Sequence, residues 1–137
     1  MRRLALLPLL LLATACLPAI AHAPLTANPE DAFTCATRTL SSRGYTIVDE
    51  DVTGGVIHAQ RDRHVAVPFR GTSDFDRIIV SIDRGRDPQM HARGDTIHEG
   101  GLTPNNAPHG GAFIAPMSRE IYADTEAVVR NCAGNEG

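Results

Sequence analysis

The chain has 137 residues, with 13 arginines and no lysine against 16 acidic residues, for a formal net charge of −3. That length suits one domain around one core and excludes a large multi-domain enzyme. The acidic balance, with six aromatic residues and no tryptophan, argues against a nucleic-acid-binding protein or a stacking platform for bases or sugars.

The chain opens on Arg2 and Arg3, then an almost unbroken apolar run from Leu4 to Leu12 and a group of small residues. A positive start, a short apolar stretch and small residues predict a secretory signal over residues 1–15, too short to span a membrane as a helix. Ala13-Thr14-Ala15-Cys16 resembles the lipobox of bacterial lipoproteins, with alanine at Ala13 where leucine is usual. The resemblance implies that Cys16 is lipidated, becomes the mature N-terminus and anchors the protein to a membrane. Leu17 follows in place of the aspartate that marks inner-membrane retention in enteric bacteria. In a cell with two membranes the resemblance therefore implies an outer-membrane lipoprotein facing the periplasm. The alternative is ordinary signal cleavage, for example after Ala21, which gives a soluble periplasmic or secreted protein.

Residues 16–27 are rich in proline and alanine and lack an amphipathic period, which predicts a lipidated N-terminus and short tether. A single α+β domain is then expected over 28–137. Asn28 is a good N-cap, Pro29 suits the first helical position, and Glu30 and Asp31 complement the helix dipole. Phe33, Ala36, Thr37 and Leu40 follow at helical spacing, and Arg43-Gly44 supplies the stop. Strands are expected at Tyr45–Asp49 and Gly55–Arg61, separated by an acidic loop ending in Gly54. The strongest strand is Phe75–Asp83, with Ile78, Val80 and Ile82 on one face and Arg77, Ile79 and Ser81 on the other. A weaker one runs from Gln89 to Ile97.

Residues 99–116 are dense in glycine, proline and asparagine, so regular structure is not expected there. Within them Phe113-Ile114 is an apolar pair that reads either as a partner-binding loop or as a pin against the core. Ser118 then caps a closing helix whose inner face carries Ile121, Thr125, Val128 and Cys132. The fold class is α+β: an antiparallel sheet of three or four strands with an N-terminal and a C-terminal helix on one face, in the order α-β-β-β-β-α.

Three cysteines are an odd number for an exported protein. Assigning Cys16 to lipid leaves Cys35 and Cys132 as an even pair, and a disulfide between them would staple the two helices. Beside this pair, Leu40, Gly44-Tyr45-Thr46-Ile47-Val48 and Gly55-Val56-Ile57-His58-Ala59-Gln60-Arg61 resemble a pattern in small, uncharacterised bacterial lipoproteins. That resemblance covers residues 30–61 and implies an envelope protein without transferring any site residue.

Signatures of catalysis are missing. There is no G-x-S-x-G, no phosphate-cradling glycine turn and no CxxC. His91, Asp95 and His98 would share a helical face, but the segment reads as a strand, on which His98 points away from the other two. His58, His64 and His109 are dispersed. No metal, no cofactor and no catalytic residue is therefore assigned. Seven arginines crowd residues 61–93, yet Asp62, Asp74, Asp76, Asp83 and Asp87 are interleaved with them, as on a solvated sheet face. With the leader removed, 11 arginines face 16 acidic residues, a net −5 that repels nucleic acid.

The expected function is a non-catalytic binding or structural module of the cell envelope, held to the membrane through Cys16 and contacting another envelope component. Its contacts are expected on the exposed sheet face around Arg61, Arg77 and Ile79, or on the loop bearing Phe113. A metal- or small-ligand-binding protein, and a hydrolase whose site assembles in space, are the alternatives.

Overall fold

The computed structural model describes residues 18–63, 73–99, 113–114 and 119–134. Strand β1 (Ala19–Pro24) precedes helix α1 (Pro29–Ser42). Four strands follow, β2 (Thr46–Asp51), β3 (Val56–Arg63), β4 (Ser73–Asp83) and β5 (Gln89–Glu99). The two-residue β6 (Phe113–Ile114) and helix α2 (Arg119–Cys132) complete the order. Five strands run β1-β5-β4-β3-β2 across the sheet, every neighbouring pair antiparallel, and β6 pairs with β5 beyond the end of β1.

The α+β class and the antiparallel sheet agree with the sequence; the strand count does not. Ala19–Pro24, expected to be part of a tether, is an edge strand registered on β5 from Ala19↔Gly94 to Pro24↔Gln89. Proline and alanine concealed it. Proline lacks only the N–H, and Pro24 sits at the end of an edge strand, where that loss is tolerated. Ala19, Ala21 and Ala23 meanwhile line the helix side, where small side chains fit beneath α2.

Helix α1 begins as its sequence dictates, with Asn28 Oδ1 accepting from the Glu30 N–H at 2.9 Å and Pro29 in the first turn. It ends where Gly44 adopts φ +83°, a conformation that glycine takes without strain. Phe33, Ala36 and Leu40 are buried and Thr37 is half-buried. In α2 the anticipated stripe of Ile121, Thr125, Val128 and Cys132 is buried, and Asp124 lies within it. Ser118, the expected cap, lies outside the described residues.

The inward faces of both helices join one core with Ile57, Ala59, Ile78, Val80, Ile82, Met90 and Ala92. The strand registers place these seven side chains on a single face: Ile57↔Val80, Ala59↔Ile78, Val80↔Ala92 and Ile82↔Met90. Gly94, opposite Ile78, is what lets α2 come close. A Cβ there would run into Thr125 Oγ1 and lie 2.9 Å from Ile121 Cγ1.

Strand β2 is longer than its sequence suggests, running through Asp51 with a bulge between Ile47 and Asp49. Acidic residues make poor strands in isolation, but the ladder with Val56, Ile57 and His58 holds them as an edge strand. Cys35 and Cys132 are bonded, with an S–S distance of 2.02 Å and Cα atoms 5.5 Å apart, joining α1 to the end of α2.

Candidate functional site

At the end of the sheet where β4 begins and β3 ends, a charged cluster is set into the helix-covered face. The alternation that points Ile57 and Ala59 inward brings Arg61 inward as well, and the phase of Ile78 and Val80 does the same for Asp76. Arg61 Nη2 donates to Asp76 Oδ2 at 3.0 Å, and Nη1 donates to Asp124 Oδ2 at 3.0 Å and to the Arg43 carbonyl at 3.1 Å. The guanidinium lies over the Tyr45 ring, 4.4 Å from its centroid. Tyr45 Oη donates to Asp124 Oδ2 at 3.1 Å, Arg43 Nη1 pairs with Asp124 Oδ1, and Thr96 Oγ1 donates to Asp76 Oδ1 at 2.8 Å.

Asp76 is 1% exposed and Asp124 is also buried. Such carboxylates are tolerable only because every oxygen has a donor. Burial pushes the Tyr45 phenol well above its ordinary range; Arg61 works against this, while the charges of Asp124 and Asp76 reinforce it. Burial also disfavours the Arg61 charge, but its bond to Asp76 and the nearby Tyr45 and Asp124 outweigh that, so its pKa is raised.

The chemical meaning of this cluster is restraint. Both carboxylates accept from guanidinium and hydroxyl groups of neighbouring segments. It ties the end of α1, three strands and α2 together. A shallow polar cleft of about 400 Å³ opens beside it, lined by Gly44, Thr46, Val48, Gln60, Arg61 and Asp62.

The opposite face of the sheet carries Arg77 and Ile79, as expected, with His58 opposite Ile79 and Asp95 opposite Arg77. Asp95, 1% exposed, is held by Arg77 Nη2 at 3.3 Å and Arg93 Nε at 3.2 Å. His91 lies further along the same face and stacks on His22 of β1, with ring centroids 5.9 Å apart. Ile20, next along β1, is 66% exposed.

Arg61 is therefore misplaced in the expected surface. It lies on the helix side, its charge consumed by Asp76 and Asp124, and it does not share a face with Arg77 and Ile79. Phe113 belongs to β6, registered on His98 at the edge of β5. Most of the loop around it, like His64, His109 and Cys16, lies outside the described residues. His91 and Asp95 share a face, but Asp95 is taken by two arginines. Among the described residues no group of three His, Cys, Asp or Glu side chains is arranged to hold a metal ion.

The residues that sequence reasoning passed over are Arg43, Tyr45, Asp76 and Asp124. Two of them were marked by phase: Asp76 falls on the inward register of β4, and Asp124 falls three residues after Ile121 on the inward face of α2. No known family model matches the chain, and no curated protein is similar to it.

Proposed function

We propose that this chain is an exported envelope lipoprotein, anchored through Cys16, whose folded part presents a binding surface and catalyses no reaction. The observation that carries the reading is the position of β1. Ala19 is 1% exposed and opens a strand paired along its whole length with β5. Cleavage before Cys16 keeps that strand intact, whereas cleavage after Ala21 removes half of it. The native disulfide suits an oxidising compartment, as the export signal does. Among the described residues no helix is long and apolar enough to cross a membrane; in this reading the lipid on Cys16 supplies the attachment.

Non-catalysis is supported by the buried carboxylates Asp76, Asp95 and Asp124, each of which is paired with arginine. Among the described residues no helix packs on the face bearing Arg77, Ile79 and His58, and it is this face that would meet another envelope component. In a cell with two membranes, Leu17 after the cysteine points to the outer membrane, facing the periplasm.

Mass spectrometry of the mature protein tests the anchor: the expected product starts at an acylated Cys16 and partitions into the membrane fraction. An unmodified chain beginning at His22 would refute it. Photo-crosslinking in intact cells from position 77 or 79 tests the surface and should capture an envelope component. Turnover of a substrate by the purified domain, lost on His91→Ala, would overturn the non-catalytic reading.

A further inference from the structure

We propose that the chain pairs with a second copy of itself through β1, strand against strand, about a twofold axis at Ala21. The proposal rests on the processing site placed at Cys16, because a chain cut after Ala21 has lost the first half of β1.

The backbone of β1 defines which groups face outward. Leu25, one position beyond the Pro24↔Gln89 pair, donates its N–H to the Pro88 carbonyl at 2.8 Å. Backbone direction alternates along an antiparallel strand, so Ala23, Ala21 and Ala19 also turn their N–H and C=O groups toward β5. Ile20 and His22 then direct theirs away from the sheet. Among the described residues no strand lies on that side of β1.

The two edges of the sheet are built differently. The β2 edge carries Asp49, Glu50 and Asp51 and a bulge, the devices that deter strand addition. Strand β1 has neither a bulge nor a residue of fixed charge and exposes Ile20; Pro18 and Pro24, which lack an N–H, confine outward pairing to Ile20 and His22. The β2 edge is defended along its length, the β1 edge only at its ends.

The surroundings of β1 select a copy of this chain as the occupant. Beside the strand, a groove of about 470 Å³ is lined by Ala21, Ala23, Val129 and the exposed pair Glu126 and Arg130. Gly94, the partner of Ala19, lies against Ile121 and Thr125. Two residues of strand advance about 6.6 Å, which is some four residues of helix, so the level of Ala21 falls close to Val128. Val128 is the midpoint between Glu126 and Arg130, as Ala21 is the midpoint between Ile20 and His22. A twofold axis at that level therefore sets Glu126 of each copy against Arg130 of the other. The outward backbone groups of Ile20 meet those of His22, and the helix side of the junction holds only alanines. One patch is complementary to itself in backbone, charge and size, which is what an isologous contact requires. An unrelated extended peptide would use the strand edge but not the symmetric charge pair.

The test uses mature full-length protein purified from membranes in detergent, its N-terminus confirmed by mass. Sedimentation should show a dimer. In the dimer the two Ala21 residues face each other as a non-hydrogen-bonded pair with Cα atoms about 4.5 Å apart, so Ala21→Cys should crosslink copies on mild oxidation, and Val48→Cys on the other edge should not. Glu126→Arg, on an exposed position, should weaken dimerisation about tenfold or more, and adding Arg130→Glu should restore it. A monomer at the highest soluble concentration overturns the proposal, as does a dimer that ignores both charge variants. A mature chain beginning at His22 overturns it together with the anchor, whereas a monomer with an acylated Cys16 overturns the dimer alone.

Discussion

Arg61 and Asp76 stand directly opposite each other on β3 and β4, a charged pair in the row that continues inward as Ala59 and Ile78. Their 3.0 Å contact is continued by Asp124 on the same guanidinium, so one cation neutralises two buried anions from different elements. Removing that cation would leave Asp76 with Thr96 as its close donor and a distant Arg63 at 3.9 Å. Arg61→Ala should destabilise the fold by about 3–5 kcal/mol, because it strands a buried charge. Urea unfolding of the two proteins measures this, and a loss under 1 kcal/mol would mean that water or Arg63 takes over the role.

Alkaline pH should weaken the fold through Tyr45. Its pKa in the folded state lies above its ordinary value, so below about pH 10 both states keep the phenolic proton and this group gives no pH dependence. As pH rises past that value the unfolded chain releases the proton while the folded chain retains it, and stability falls. Tyr45→Phe should lower stability at neutral pH by about 1.5–3 kcal/mol, the worth of a hydrogen bond to a charged group. It should also flatten the alkaline decline. Urea midpoints for both proteins from neutral to alkaline pH would reveal parallel curves if Tyr45 ionised as freely in the fold as out of it.

Gly94→Ala should destabilise the protein by about 1–3 kcal/mol, an overpacking effect. The added methyl meets Thr125 and Ile121 on α2, both fully packed. Pairing the change with Thr125→Ala should recover part of the loss, since the nearest clash is then gone. Thermal unfolding of the single and double variants decides it.

Replacing both disulfide cysteines, Cys35→Ala with Cys132→Ala, should cost about 2–5 kcal/mol. The bond closes 97 residues of separation, so its removal enlarges the unfolded ensemble considerably. Denaturation with and without reductant gives the same comparison in the unaltered chain.

The elements with strong periodicity were legible in the sequence. Pro29–Ser42 and Ser73–Asp83 carry their own punctuation and alternation, and their buried faces match. The disulfide followed from arithmetic on three cysteines. Strand β1 was hidden because its stability is borrowed: alanine and proline have little strand propensity, and the pairing energy comes from β5. The charge of Arg61 points to the surface, whereas its spacing from Ile57 and Ala59 places it inside, and phase prevails because Asp76 and Asp124 are there to meet it. Asp124 was hidden for the same reason, an acid accepted in a core position because Arg43 and Tyr45 of the α1–β2 connection and Arg61 of β3 converge on it.

The Cys35–Cys132 bond also divides the molecule topologically. The segment between them is a closed covalent ring holding β2 to β6, the later part of α1 and nearly all of α2. A protease that cuts once anywhere inside that ring leaves one connected molecule. Strand β1 lies on the free arm outside it, fastened by its pairing with β5, by its alanines beneath α2 and by the stacking of His22 on His91. The chain is thus a ring with a leash, and pulling on the N-terminus first loads the contacts of β1 with β5 and α2, while the disulfide keeps the ring covalently closed.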